Sequence, residues 1–145
     1  MTLVELLVVV LIIGVLSAIS IATLLAARGV AGDASAKSMA ATARLAARTI
    51  ALDNEGSFAT VRPAALHRYE STIATSSRTG AQSGAYVSRA RGTQSSYVLT
   101  VTALETGNRY TITRSADGTV RFTCIVARKA DPGGCRTGRG RNGTW

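Results

Sequence analysis

LLVVVLIIGVLSAISIATLLAA, residues 6–27, decides the fold. The run holds 22 uncharged residues, mostly Leu, Val, Ile and Ala. About 20 such residues span the hydrocarbon core of a bilayer as a helix. A cleaved secretory signal would need a basic leading region, a shorter apolar run and a small-residue cleavage site. Nothing basic precedes this run, and Glu5 lies at its start. Glu5 is also the lone charged side chain before Arg28.

The helical pattern continues in VAGDASAKSMAATARLAARTIALDN, residues 30–54. Ala, Arg, Lys, Met and Leu are strong helix formers. Met39, Ala43, Ala46 and Ile50 recur at helical spacing and predict an apolar stripe. Lys37, Arg44 and Arg48 fall on another side, with Asp33 one turn before Lys37 as a favourable pair. Gly29 and Gly32 are weak points at about 1 kcal/mol each. Asn54 and Gly56 are stop signals. One helix from Thr2 to Asp53 is expected, roughly 80 Å long at 1.5 Å per residue. A rod that is apolar all round in its first half needs lipid or copies of itself to cover it.

The whole chain has 145 residues, 17 Lys+Arg, eight Asp+Glu, and a net charge of +9. That length fits one domain with an appendage. One His and two Cys leave too few soft ligands for a structural zinc site. No Ser-His-Asp or Cys-His set is evident, so neither enzyme activity nor a cofactor or metal is expected.

A carboxylate inside an apolar helix is costly. Glu5 has two explanations. It is an interfacial acid favoured by the helix N-terminus, or it is a functional acid with a partner. The partner of choice is the α-amine of a neighbouring chain, which would make Glu5 a register device for assembly.

MTLVELLVVVLIIGVLSAIS, residues 1–20, strongly resembles the mature N-terminus of a type IV pilin. The matching positions are Met1, where the family commonly has an aromatic, and Thr2, Leu3, Glu5 and Gly14. The resemblance implies a chain starting just after the prepilin-peptidase cut, with Met1 methylated. It implies assembly through Met1, Thr2, Glu5 and Gly14. The family often has a proline at the place of Ala22, accompanied by an unwound stretch starting at the place of Gly14. Ala22 keeps its backbone N–H, so any unwinding here should stay within residues 14–20. Ser17 and Ser20 are placed to satisfy loosened carbonyls.

From Gly56 the composition shifts to Thr, Ser, Gly and Arg. PAALHRYES, residues 63–71, reads as a short surface helix with Pro in its first turn. His67 on it is expected to be solvated or locally bonded. Residues 72–84 read as a loop. AYVSRA (85–90, an edge strand), YVLTVTA (97–103), RYTITRS (109–115) and TVRFTCIVA (119–127) read as strands. Residues 105–108 and 116–118 are hairpin connections, and Asp117-Gly118 is a strong turn signal.

The expected fold is therefore α+β. A long N-terminal helix, apolar in its first half, packs by its second half on a four-stranded antiparallel sheet, as in the pilin fold. Its parts are an apolar transmembrane or filament-core half (1–27), an amphipathic half (28–55) and a globular sheet head (56–145). Leu99, Val101, Tyr110, Ile112, Val120, Phe122 and Val126 are the core candidates. Two Phe and one Trp make a thin core, and a Cys124–Cys135 bridge is expected to staple it. The alternative is two free thiols.

The last 25 residues carry Arg121, Arg128, Lys129, Arg136, Arg139 and Arg141 against Asp131. The tail is Gly-rich and is expected to be flexible. One reading is a solvated surface in an Arg-rich chain. The other is an anion-binding surface of Arg128, Lys129, Arg136, Arg139 and Arg141. It would hold DNA or anionic surfaces without sequence preference, and salt would weaken it. Trp145 could dock on the sheet or on a neighbour.

Together the residues and the resemblance suggest the structural subunit of an extracellular type IV pilus. Such a homopolymer serves adhesion, twitching motility or DNA uptake. The resemblance further implies residence in the cytoplasmic (inner) membrane before assembly and dependence on prepilin peptidase and the pilus assembly machinery. A minor pilin, a type II secretion pseudopilin, and a monomeric membrane-anchored basic binding protein are the alternatives.

Overall fold

The computed structural model describes residues 2–127, 131–138 and 140–145, and for residues 19–23, 25 and 26 the backbone alone. The chain is α+β. Helix α1 (Leu3–Asp53) leads into α2 (Pro63–Tyr69), a 3-10 turn (Thr79–Ala81) and an antiparallel sheet. The strands are β1 (Ala85–Gly92), β2 (Tyr97–Ala103), β3 (Arg109–Arg114), β4 (Val120–Ile125), β5 (Arg136–Thr137) and β6 (Asn142–Thr144). Their order in the sheet is β1-β2-β3-β4-β6-β5.

Helix α1 begins on a capping box. Thr2 Oγ1 accepts from Glu5 N at 3.3 Å, and the Glu5 carboxylate accepts from Thr2 N at 2.7 Å. Two orphan donors of the helix start are thereby satisfied. The helix then runs 51 residues, about 77 Å at 1.5 Å per residue. It continues through Gly14 and Ala22 without a break. Ser17 donates to the Ile13 carbonyl at 2.7 Å inside this stretch. At the far end Gly56 N reaches back to the Ala51 carbonyl at 2.7 Å, and Asn54 Nδ2 bonds the Ile50 carbonyl at 2.6 Å. The last carbonyls are thus closed where Asn54 and Gly56 predict a stop.

The second half of α1 packs on the sheet as expected. Met39, Ala43, Ala46 and Ile50 are buried, and Ala36, Ala40, Ala47 and Ala51 widen the stripe. So many alanines let the helix backbone approach the sheet closely. Facing them, β2 alternates strictly, burying Tyr97, Leu99, Val101 and Ala103. Tyr110, Ile112 and Val126 are buried too, whereas Val120 and Phe122 are only partly covered. A β-bulge at Ser88 shifts β1 by one residue, so Val87 and Ala90, not alternate residues, point inward.

Three expectations need correction. The sheet has six strands, not four, and the tail expected to be flexible supplies the other two. Strand β6 pairs with β4, and β5 pairs with β6. Strands of two and three residues carry no readable alternation, which is why the pattern missed them. Trp145 closes this addition. Its Nε1 donates to the Thr123 carbonyl at 3.0 Å, and its ring meets Tyr110 and Phe122 edge-on at 5.6 and 5.3 Å.

Second, two of the three cations placed on another side from the apolar stripe reach groups of the head. Lys37 donates to the Gly133 carbonyl at 2.6 Å, and the Arg44 guanidinium lies 5.6 Å from the Phe122 ring centre. Arg44 Nε is buried without a hydrogen-bond partner among the described residues. The ring's electron-rich face is what offsets that loss. Third, Asp33 is 1% exposed and bonds across to the head. It does not serve as a surface partner for Lys37.

The Cys124–Cys135 bridge is present, with Cα atoms 5.9 Å apart. It ties β4 to the loop before β5. Replacing both cysteines by serine is expected to cost about 3 kcal/mol. That cost would appear as a lower urea midpoint in equilibrium unfolding. An unchanged midpoint would show that hydrogen bonds alone hold the loop.

Candidate functional site

Every Leu, Val and Ile from residue 3 to residue 16 is between 48% and 79% exposed. Val30, Leu45 and Leu52 continue the exposure into the second half at 58–81%. Ordinary soluble monomers seldom expose apolar patches beyond a few hundred Å². Among the described residues nothing covers this end of α1. A Cβ placed on Gly14 would meet nothing within 4 Å. Among the described residues no helix is long and apolar enough to cross a membrane. In the sequence the uncharged run extends to Ala27, past the residues whose backbone alone is described.

Glu5 is the one acid on this surface. Both of its described side-chain bonds, from Thr2 N at 2.7 Å and Thr2 Oγ1 at 3.0 Å, fall on Oε2. A single chain can therefore hold this carboxylate in a local cap. Met1, which sequence reasoning paired with a neighbour's Glu5, lies outside the described residues.

Asp33 was missed as a structural centre. Its Oδ1 accepts from Thr106 Oγ1 at 2.7 Å, and both its oxygens lie 3.1–3.2 Å from Asn108 Nδ2. Asn108 Nδ2 also reaches the Asp131 carbonyl at 2.7 Å, while Asn108 Oδ1 accepts from Ala127 N at 2.9 Å. The Gly133 carbonyl receives Lys37 and Tyr110, the latter at 3.1 Å. Gly133 has φ +56, and a Cβ there would collide with Asp33 Oδ2 and Tyr110 Oη. Burial, then the charge of Asp33, pushes the Tyr110 phenol well above its ordinary pKa. One buried cluster thus locks α1, the β2–β3 turn and the disulfide loop together. A sequence signal existed: Asp33 follows Gly32, where the helix backbone comes close to Gly84 and Glu105.

The basic set is only partly placed. Arg136 and Arg141 are exposed, on β5 and just before β6. Arg128, Lys129 and Arg139 lie outside the described residues. His67 is locally bonded, its Nδ1 lying 2.8 Å from the Ile73 carbonyl. Among the described residues no group of three or more His, Cys, Asp or Glu could hold a metal ion. No family model, curated protein or solved structure matches the chain.

Proposed function

We propose that the chain is the structural subunit of an extracellular filament of the type IV pilus kind. One observation carries this reading: a single helix whose second half buries one face against its own head and whose first half leaves every described large apolar side chain uncovered. The two halves share one rigid rod, so whatever covers the first half must lie along the same axis. Lipid covers it before assembly and the same halves of neighbouring chains cover it afterwards. Lipid tails are as apolar as these side chains, so close van der Waals packing between helices, not the hydrophobic effect, favours the exchange of lipid for packed neighbours. The sheet heads, stapled by the disulfide, form the coat.

Glu5 sets the register. In the filament its carboxylate leaves or shares the Thr2 cap and accepts the residue-1 amine of an adjacent subunit. A carboxylate in an apolar core without a cationic partner would be expensive, so only axial shifts that bring the amine alongside are tolerated.

Shearing the surface of the source cells tests the reading. The sheared fraction should contain thin filaments by electron microscopy, and this chain should be an abundant protein in them by mass spectrometry. Recovery of the chain solely as a monomer in the membrane fraction would favour an anchored binding protein instead.

A further inference from the structure

The sheet has a second face, turned away from α1, and its side chains follow a pattern. Pairing across the six strands aligns Arg89, Thr100, Thr111, Thr123, Thr144 and Arg136 in one row. Threonine fills the four inner places and a guanidinium stands at each end. At strand spacings of about 4.8 Å the row is roughly 24 Å long. The neighbouring row brings Arg109 beside Thr102 and Tyr86. Part of this face forms an open groove of about 980 Å³, which Arg141 also lines. None of its described lining residues is acidic. No Asp or Glu occurs in any of the six strands.

We propose that this lane binds an acidic polysaccharide, a sugar chain bearing carboxylates. The hydroxyls are already ordered. Thr100 Oγ1 and Thr111 Oγ1 lie 3.1 Å apart, and Thr102 Oγ1 donates to Ser88 Oγ at 2.9 Å. A hydroxyl both donates and accepts, which suits it to the hydroxyls of a sugar. The planar fork of Arg matches a carboxylate. An extended pyranose chain also advances per unit by a distance close to the strand spacing. Strand propensity alone explains threonine on an exposed face, but not a row closed at both ends by arginine.

Nucleic acid fits less well. Single strands are held on several aromatic platforms, and among its described lining residues Tyr86 is the one aromatic. A duplex would rest on the cations through its phosphates and leave the threonines unused. The groove volume sits at the top of the range of about 300–1,000 Å³ for small-ligand clefts.

The test titrates the full chain in detergent with a short oligogalacturonate, a neutral glucose oligomer of equal length, and oligo-dT. The oligogalacturonate is expected to bind about tenfold or more tightly than either control. Arg89→Gln with Arg109→Gln should weaken it by about tenfold. Arg62→Gln with Arg78→Gln, an equal charge loss at exposed sites off the sheet, should leave it unchanged. Thr100→Val with Thr111→Val keeps charge and strand shape and should weaken it severalfold. Arg136→Gln, on the short edge strand, repeats the charge test without touching the central sheet. Equal losses in the two arginine pairs, no loss in the threonine pair, or equal binding of oligo-dT would overturn the proposal.

Discussion

A Glu5→Ala subunit is expected to reach the membrane and fail to enter filaments. Removing one partner of a buried charge pair costs about 3–5 kcal/mol. Even the lower figure is about a hundredfold in an equilibrium constant, and it applies to each subunit added. Glu5 has a local role too, since it completes the capping box with Thr2, so alanine alone does not separate cap from register. Glu5→Gln does. Glutamine serves in a capping box as glutamate does, yet it carries no charge for a neighbour's amine. Both variants should therefore lose filaments, counted as sheared protein per cell. Thr2→Ala removes the cap and keeps the carboxylate; its cost should be nearer 1 kcal/mol. Normal piliation by Glu5→Gln would reduce Glu5 to a helix cap.

The second large effect is expected at Asp33. Asp33→Ala strips a partner from the half-buried Thr106 Oγ1 and one from the fully buried Asn108 Nδ2. Each buried donor left unsatisfied costs about 1–3 kcal/mol. A loss of about 2–4 kcal/mol is expected, a large share of the about 5–15 kcal/mol that stabilises a typical domain. The damage should concentrate in the disulfide loop, because Asn108 also holds the Asp131 carbonyl and Ala127 N. Hydrogen exchange would report it as lost protection at Ala127 and Gly133 ahead of the β2 amides. Gly133→Ala attacks the same cluster from the opposite side, through the collision with Asp33 and Tyr110. If Asp33→Ala unfolds at the same urea midpoint as the parent chain, the cluster is not what locks the head to the helix.

The sequence was most legible where one period dominated. The Met39, Ala43, Ala46 and Ile50 stripe, the alternation of β2 and the Asp117-Gly118 turn each follow from local spacing, and the structure reproduces them. The disulfide followed from two cysteines 11 residues apart in a head with few aromatics. What failed depended on distant partners. Lys37 and Arg44 fall on another side of the helical wheel from the apolar stripe, but Gly133 and Phe122, remote in sequence, draw them toward the head. Asp33 looks like half of an i,i+4 pair until Thr106 and Asn108 are brought against it. Strands β5 and β6 are too short to alternate, and their pairing depends on β4 and the bridge. The tail arginines read as one basic cluster. Arg136 instead joins the end of a row that starts with Arg89 on the opposite edge of the sheet.

Helical reconstruction of the sheared filaments tests the assembly most directly. The proposed packing puts residues 1–27 of every subunit at the filament axis and the sheet heads outside. It also puts each Glu5 carboxylate within about 4 Å of the residue-1 amine of an adjacent chain, the range in which an ion pair forms. A map in which Glu5 stays in its own Thr2 cap, with every neighbouring amine far from it, would contradict the central claim.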